Sequence, residues 1–331
     1  MRATAATADG TARRAAVRRA ARATVSTAVL AVLLLLAGCD APAARPPQSP
    51  SPPSSARPPS GTGPAPSGTV PGPTPTPPTT TPTTPGAGGT RGGSADGGAA
   101  RWQPRPGTSW QWQLTGPVDT GVDAAVYDVD GFDVGAGVVA TLHAEGRKVV
   151  CYLNAGAYED FRPDHGRYPS ALLGADNGWP GERWLDIRQR ALLAPLLSAR
   201  LDMCRAKGFD AVEPDNVDGY TNDTGFPLTA DDQLAFNRMV AGLAHARGLA
   251  VGLKNDLDQL PDLVGDFDFA VDEQCAEFHE CDALTPFVAA GKAVFEAEYA
   301  LPTSDFCADA ARLRFSAILK HLSLDSWRET C

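Results

Sequence analysis

The stretch Phe209-Asp-Ala-Val-Glu-Pro-Asp-Asn216 joins a short apolar strand to two carboxylates at its end. Side chains alternate across a β-strand, so Ala211, Glu213 and Asp215 point to one face and the apolar residues between them point to the other. The apolar face can pack under a helix, while the acidic face ends where α/β barrels and open α/β sheets place their active sites. The stretch therefore predicts an acidic active-site edge on a parallel sheet.

Residues 102–331 alternate short apolar segments with longer helical ones. One helix is predicted from Arg188 to Lys207, and another begins after Thr229, a predicted N-cap, and continues to Gly248. Eight strands are predicted, at 109–114, 124–129, 148–153, 184–187, 209–213, 249–254, 268–273 and 293–298. This series predicts a (β/α)8 TIM barrel, with a doubly wound open sheet as the alternative. No Gly-x-Gly-x-x-Gly motif supports a dinucleotide fold, and we expect no cofactor.

The first 38 residues have the features of an export signal. They carry six arginines against one acid, followed by an apolar run that is too short to span a bilayer. The run closes on Leu36-Ala-Gly-Cys39, which resembles the lipobox of bacterial lipoproteins. This resemblance implies a signal peptide at 1–38 and a lipid anchor on Cys39 at the outer face of the cell membrane. The Arg13-Arg14 pair leaves both the general and the twin-arginine export routes open.

Residues 39–100 have the composition of a tether. They contain 17 of the 29 prolines, interleaved with Ser, Thr and Gly and almost no large apolar residues. Such a composition cannot bury a core, and polyproline conformation stiffens it. We therefore predict a disordered linker here and a catalytic domain at 101–331.

The charge of this domain excludes some partners. Residues 1–38 contribute +5 and residues 39–100 contribute +1 to a total of −10, so residues 101–331 carry −16. Phosphate backbones would be repelled, so we expect no nucleic acid partner, whereas a cationic substrate would be attracted. We expect the domain to be a monomer.

Six cysteines remain after Cys39, and an even number in an exported domain favours disulfides. The spacing favours a bridge between Cys275 and Cys281. The other two pairs, among fifteen possible pairings, remain open. The candidates are Cys151 with Cys204 and Cys307 with Cys331. No Cys-x-x-Cys occurs and histidine is sparse, so we expect no metal site.

Acidic residues recur at the ends of the predicted strands, and in a barrel these ends meet at one mouth. Asp215 and Glu273 lie on predicted strands two apart in the ring, which suits two carboxylates that face each other across a sugar. Such a pair is the minimum machinery for glycoside hydrolysis. Which of the two is the acid, and whether the reaction retains or inverts configuration, does not follow from the sequence.

The domain also resembles a known family along its whole length. The motifs that carry the resemblance are Asp-Val-Asp-Gly-Phe-Asp (128–133), Cys-Tyr-Leu-Asn-Ala-Gly-Ala-Tyr-Glu (151–159), Trp-Leu-Asp-Ile-Arg (184–188), Glu-Pro-Asp-Asn-Val-Asp (213–218), Gly-Leu-Lys-Asn (252–255) and Asp-Glu-Gln-Cys (272–275). They resemble glycoside hydrolase family 114, the endo-α-1,4-polygalactosaminidases. The resemblance implies a TIM barrel, cleavage of α-1,4-linked galactosamine polymers, and catalysis by Asp215 and Glu273.

An acidic cleft suits a polymer of galactosamine, whose amino groups carry positive charge. We expect the substrate to be held by acids that bind its ammonium groups, by aromatic rings that stack on sugars, and by a lysine and an asparagine. The candidates are Asp128, Asp130, Glu213 and Glu298, Trp110 and Tyr152, and Lys254 and Asn154. A non-catalytic carbohydrate-binding lipoprotein is the alternative function, and a transporter's solute-binding component is disfavoured by the single eight-unit series.

Overall fold

Eight parallel strands and one antiparallel strand form a single curved sheet in the computed structural model, which describes residues 101–331. In spatial order the strands are β1 (Trp110–Gln113), β2 (Val126–Asp130), β3 (Lys148–Asn154), β7 (Ala211–Asp215), β8 (Ala250–Lys254), β9 (Phe269–Glu273), β10 (Val294–Glu298), β11 (Ser316–Lys320) and β12 (Arg328–Thr330). A smaller antiparallel sheet consists of β4 (Ala157–Glu159), β5 (Leu173–Asp176) and β6 (Glu182–Leu185), with β6 in the middle. The helices are α1 (Ala136–Ala144), α2 (Arg190–Lys207), α3 (Ala230–His245), α4 (Leu260–Leu263), α5 (Thr285–Ala289) and α6 (Thr303–Leu313).

The two ends of the large sheet meet and make it a barrel. The Trp110 indole on β1 donates a 2.7 Å hydrogen bond to the carbonyl oxygen of Ser316 on β11. Arg328 on β12 donates to the Trp110 carbonyl oxygen, and the Leu114 amide bonds the Leu324 carbonyl oxygen at 2.9 Å. The predicted TIM barrel is therefore confirmed, and the alternative open sheet is wrong.

One predicted strand belongs elsewhere. The segment 184–187, predicted as the fourth barrel strand, contributes to β6, which pairs antiparallel with β4 and β5 outside the barrel. The eighth parallel strand is β11, which the sequence analysis missed. The error arose because a short apolar segment has the same appearance in either sheet. It leaves Asp215 and Glu273 two strands apart, since β8 lies between β7 and β9.

Side-chain parity along the strands agrees with the prediction. Ala211 on β7 lies in the apolar cluster inside the barrel, whereas Val212 packs in the layer between strands and helices. Phe269 and Val271, which share the face of Glu273 on β9, also lie inside. The interior is therefore apolar at the bottom and becomes acidic toward the mouth.

Helix ends follow the local sequence. Thr229 caps α3, where its hydroxyl accepts from the Asp232 amide and the Asp232 carboxylate accepts from the Thr229 amide in a capping box. Helix α2 ends at Gly208, which has a φ of 93°, a left-handed conformation that glycine adopts without strain. The sequence predicted Thr229 as an N-cap and predicted that α2 ends at Lys207, directly before Gly208.

A proline interrupts the hydrogen bonding between two neighbouring barrel strands. Strand β7 pairs with β3 up to Asp215, but its pairing with β8 stops at Val212. Pro214 has no amide hydrogen to donate, so it cannot extend a ladder. The backbone pairing of β7 with β8 therefore ends before the last residues of the two strands, and the site described below lies there.

Within residues 101–331, no helix combines the length and apolar character needed to cross a membrane. The predicted signal peptide at 1–38, the lipidated Cys39 and the tether at 39–100 lie outside the described residues.

Candidate active site

Three consecutive barrel strands each end in a charged residue. Asp215 is the last residue of β7, Lys254 of β8 and Glu273 of β9. The order β7–β8–β9 in the sheet places the lysine between the two carboxylates. The order of the strands alone therefore brings two carboxylates and a lysine together at one edge of the mouth.

The residue after each of these strand ends has a left-handed backbone. The φ angles are 59° at Asn216, 51° at Asn255 and 66° at Gln274. Asparagine visits this region more readily than other residues with a side chain, whereas glutamine pays a larger conformational cost. Such backbone conformations cluster at functional sites, where the surrounding structure holds them.

Lys254 bridges the two carboxylates. Its Nζ lies 3.1 Å from Asp215 Oδ1 and 3.2 Å from Glu273 Oε2, and the lysine side chain is 2% exposed. Because both oxygens lie this near the same nitrogen, the oxygen of Asp215 and the oxygen of Glu273 are less than ~6.5 Å apart. That distance is the lower limit of the carboxylate spacing in inverting glycosidases. The side chains of Asp215 and Glu273 are 20% and 25% exposed, so both can reach a ligand in the mouth.

Each carboxylate also accepts a hydrogen bond from a tyrosine. Tyr152 on β3 donates to Asp215 Oδ2 at 2.7 Å, and Tyr299, directly after β10, donates to Glu273 Oε1 at 2.5 Å. Burial, and next the neighbouring carboxylate, raise the pKa of each phenol well above its ordinary value, so both remain donors. Tyr152 was predicted to stack on a sugar; the structure places its hydroxyl on Asp215. Tyr299 was not predicted from the sequence, although its position after an acidic strand end was a usable signal.

The charges around Asp215 keep it ionised. Burial acts to raise its pKa, but the Lys254 ammonium and the hydrogen bonds from Tyr152 and Asn216 outweigh burial and lower the pKa. Lys254 shows the reverse balance: burial acts to lower its pKa, and the carboxylates of Asp215, Glu273 and Glu213 raise it well above the ordinary value. The site thus holds a fixed cation beside an anion at neutral pH.

A second layer of acids lies beneath this pair. Glu213 is fully buried, with Oε1 3.1 Å from Lys254 Nζ. Burial, and next repulsion by Glu213, raise the pKa of Asp128 well above its ordinary value. Asp128 and Glu213 were predicted to bind substrate ammonium groups. The structure instead buries them against each other and against Lys254, where no substrate reaches.

Two further predicted contacts are occupied by protein groups. Asp130 forms a bidentate ion pair with Arg162 at 3.0 and 2.6 Å, so its prediction as an ammonium ligand is corrected. Asn154, predicted as a sugar or carboxylate partner, is a carboxylate partner: its amide donates to Glu182 at 3.1 Å. Neither Arg162 nor Glu182 was predicted from the sequence.

Trp110 and Glu298 are also buried away from ligands. Trp110 is 1% exposed and stacks on Trp112 and Phe295 inside the barrel, so it cannot stack on a sugar. Glu298 is fully buried and accepts a 2.8 Å hydrogen bond from the Ala276 amide. These two predictions are wrong. An aromatic or acidic residue on the inner face of a strand can either bind a ligand or pack in the interior, and the sequence pattern is the same in both cases.

The loop after β9 is closed by a disulfide. Cys275–Cys281 lies in this loop, and Cys151–Cys204 and Cys307–Cys331 form the other two bridges, the same three pairs that the sequence analysis considered. Cys275, Cys281 and Glu296 are the single group of potential metal ligands found in residues 101–331. Both of its sulfur atoms are in the disulfide, so it has no thiolate to offer a metal.

The small sheet adds an exposed rim to the mouth. Glu182 begins β6, and Trp179, in the turn before it, is 52% exposed. Burial raises the pKa of Glu182 to about 7, with Glu159 and Asp215 acting in the same direction against a hydrogen bond from Asn177. An exposed tryptophan in a Gly-Trp-Pro-Gly turn was a signal that the sequence analysis did not use.

Comparisons with known proteins agree with this geometry. The model of glycoside-hydrolase family GH114 matches residues 93–331. The crystal structure of Aspergillus fumigatus Ega3 in complex with galactosamine is 41% identical, with a TM-score of 0.67, and covers 72% of this chain and 100% of its own. The glycoside hydrolase domain of PelA from Pseudomonas aeruginosa is 15% identical, with a TM-score of 0.53, covers 69% of this chain and 99% of its own, and shows the shared fold. No curated protein sequence matches the chain.

Proposed function

Because the chain belongs to glycoside hydrolase family GH114, we propose that it hydrolyses α-1,4-linked galactosamine polymers within the chain, with Asp215 and Glu273 as its catalytic carboxylates. The solved relative at 41% identity was crystallised with galactosamine, which supports this substrate class. The domain charge of −16 supports it independently, since a polymer of ammonium sugars would be drawn to an acidic cleft.

One observation carries the assignment of the pair: Asp215 and Glu273 both lie at the mouth within 3.2 Å of Lys254 Nζ. This spacing suits a retaining mechanism, in which the carboxyl groups lie ~5–5.5 Å apart. Asp215 is held ionised by Lys254 and Tyr152 and is therefore our candidate nucleophile. Glu273 is then the acid and base.

The steps follow from these roles. Glu273 donates its proton to the glycosidic oxygen while Asp215 attacks the anomeric carbon, so the leaving sugar departs with a hydroxyl and a glycosyl ester forms on Asp215. Glu273, now a carboxylate, removes a proton from water as the water attacks the same carbon. The ester bond breaks, and both carboxyl groups return to their starting states.

We also propose that the domain works outside the cytoplasm, attached to the outer face of the membrane through a lipid on Cys39. Three disulfides in the domain favour an oxidising compartment. Labelling of the full chain with a radioactive fatty acid tests the anchor. Label is expected on the wild type and absent from Cys39→Ser, and equal labelling of both proteins would contradict it.

Variants of the pair test the catalytic proposal. Asp215→Asn and Glu273→Gln should each release oligosaccharides from polygalactosamine at least about 10³-fold more slowly than the wild type while remaining folded. Full activity in either variant would remove that residue from the mechanism. With Asp215→Gly, added azide should yield a glycosyl azide, and inversion of the product anomer in the wild type would contradict retention.

A further inference from the structure

Glu182 lies beside the candidate nucleophile although it belongs to the small sheet. Its Oε2 accepts hydrogen bonds from Asn154 Nδ2 at 3.1 Å and from Asn177 Nδ2 at 2.8 Å. Asn154 is the last residue of β3 and pairs in register with Asp215. One strand spacing, ~4.8 Å, therefore separates the backbone that holds Glu182 from the backbone that bears Asp215.

Glu182 has an oxygen left for a ligand. The two amides occupy Oε2, and Oε1 accepts no hydrogen bond from any group among residues 101–331. The side chain is partly exposed at the mouth. Ionised carboxylates bind ammonium groups through short, charge-assisted hydrogen bonds, and Glu182 is placed to make one.

Three other acids near the pair are out of reach of a ligand. Asp128 and Glu298 are fully buried, and Asp130 is buried and paired with Arg162. Glu182 is partly exposed, so a cationic ligand in the mouth can reach it more readily than any of these three.

Trp179 is held in the same turn. Its amide donates to Asn177 Oδ1 at 3.1 Å, and its carbonyl oxygen accepts from the Glu182 amide at 3.1 Å. Trp179 is 52% exposed, so its ring is open to a ligand. A tryptophan face can stack on a sugar ring and attracts cations through its negative potential.

We propose that Glu182 and Trp179 form a subsite for the sugar next to the bond that is cleaved, in which Glu182 binds the ammonium group of galactosamine and Trp179 stacks on the ring. The proposal rests on the proposed function and deepens it. It assigns the preference for unacetylated over N-acetylated polymer to one carboxylate, because an acetamide carries no charge for Glu182 to bind.

Kinetics on two substrates test the proposal. We would measure kcat/KM of wild type, Glu182→Gln and Trp179→Ala on galactosamine oligomers and on the same oligomers after N-acetylation. Glu182→Gln should lower the ratio of kcat/KM on galactosamine oligomers to kcat/KM on N-acetylated oligomers on the order of tenfold. The reason is the loss of a hydrogen bond to a charged group. Trp179→Ala should lower both values together and leave the ratio near that of the wild type.

Asp176→Asn is a matched control, because Asp176 is an exposed carboxylate of the same small sheet whose Oδ1 accepts from the Gly178 amide, as an asparagine oxygen also can. It should change neither value. Binding of both oligomers to Asp215→Asn, with and without Glu182→Gln, gives a second readout that does not depend on turnover.

The outcomes are separable. A wild type that cleaves neither oligomer overturns the proposed function. If the wild type cleaves galactosamine oligomers and folded Glu182→Gln has the same kcat/KM ratio as the wild type, the subsite is overturned and the proposed function stands. If Glu182→Gln does not fold, we would measure binding of both oligomers to Glu182→Ala in the Asp215→Asn background. An unchanged preference for galactosamine over N-acetylated oligomers there would also overturn the subsite.

Discussion

Two groups of acids at the same barrel mouth behave in opposite ways. On β7 to β9, Asp215 and Glu273 share the ammonium of Lys254. On β10, Glu296 and Glu298 are fully buried, and within residues 101–331 no lysine, arginine or histidine comes within ion-pair distance of either. The pKa of Asp215 is lowered, whereas burial raises the pKa of Glu296 to about 8 and that of Glu298 to about 7.

The difference shows that a strand-end acid becomes reactive through its neighbours. Asp215 on β7 is held as a charged group that faces the mouth, and Glu273 on β9 lies at the same lysine. The carboxyl groups on β10 lie buried under the loop that carries the Cys275–Cys281 disulfide, and burial raises the pKa of both. The lysine on the intervening strand and the deeper burial on β10 together account for the two behaviours.

Removal of this lysine should have the largest effect. Lys254→Met takes the cation from three carboxylates, so we expect kcat/KM to fall about 10³-fold and the acidic limb of its pH profile to move to higher pH. The direction follows because Asp215 must be ionised to attack and Lys254 lowers its pKa. Kinetics on polygalactosamine from pH 4 to pH 9 would measure both effects.

Lys320→Met is the matched control for that variant. Lys320 is also a buried lysine at the end of a barrel strand, but it donates to the carbonyl oxygens of Asp325 and Trp327. Its loss should lower stability and leave the acidic limb in place. An equal shift of that limb in both variants would show that Lys254 has no specific role.

Removing the tyrosine hydroxyls should have a smaller effect. Tyr152→Phe removes one donor from Asp215, so kcat/KM should fall about tenfold and the acidic limb should move upward. Tyr299→Phe removes the donor on Glu273 and should lower kcat/KM by a similar factor, while the acidic limb stays where it is in the wild type. The idea that each tyrosine serves one carboxylate fails if the two variants have identical profiles.

The disulfide after β9 connects the two groups of acids, because its loop follows Glu273 and its Ala276 amide bonds Glu298. Replacing Cys275 and Cys281 with serine should cost about 2 kcal/mol in the free energy of unfolding and lower kcat a few-fold. Cys151–Cys204 closes a longer segment, with a sequence separation of 53 residues, so its removal should cost about 4 kcal/mol. Denaturant unfolding and single-substrate kinetics on both double variants check the contrast.

Glu296→Gln should have the smallest effect, and it should stabilise the protein. Burial, with Glu298 and Asp309 nearby, keeps Glu296 protonated in the fold up to a pKa of about 8, while the unfolded chain ionises near the ordinary value. Stability of the wild type is therefore complete in acid and falls as pH rises through this window. Glutamine does not titrate, so the variant should melt about 2–4 °C higher at pH 8 and equally at pH 4. A gain that is equal at both pH values would contradict this account.

Much of the barrel could be predicted because period-two alternation and strand-end acids are local signals. Parity placed Asp215 and Glu213 on the inner face, and the helix ends at Thr229 and Gly208 were written in single residues. Strand β11 was missed and 184–187 was misplaced because sheet membership depends on distant partners.

The acids were harder to sort. Asp130 and Asp128 look alike in the sequence, yet one is bound by Arg162 from the small sheet's flank, and burial beside Glu213 raises the pKa of the other. Glu182 was missed because its approach to Asn154 depends on how β6 lies on the barrel. Such contacts are set by tertiary packing, which single-residue patterns do not record.

Pro214 in β7 connects the catalytic site with the way in which two neighbouring barrel strands are held together. In the described residues the pairing register of β7 with β8 ends at Val212, and further along the ammonium of Lys254 contacts Glu213 and Asp215 on the neighbouring strand. Ion pairs therefore hold the ends of β7 and β8 together. Protonation of Asp215, or a covalent sugar on it, should weaken this contact between the two strands.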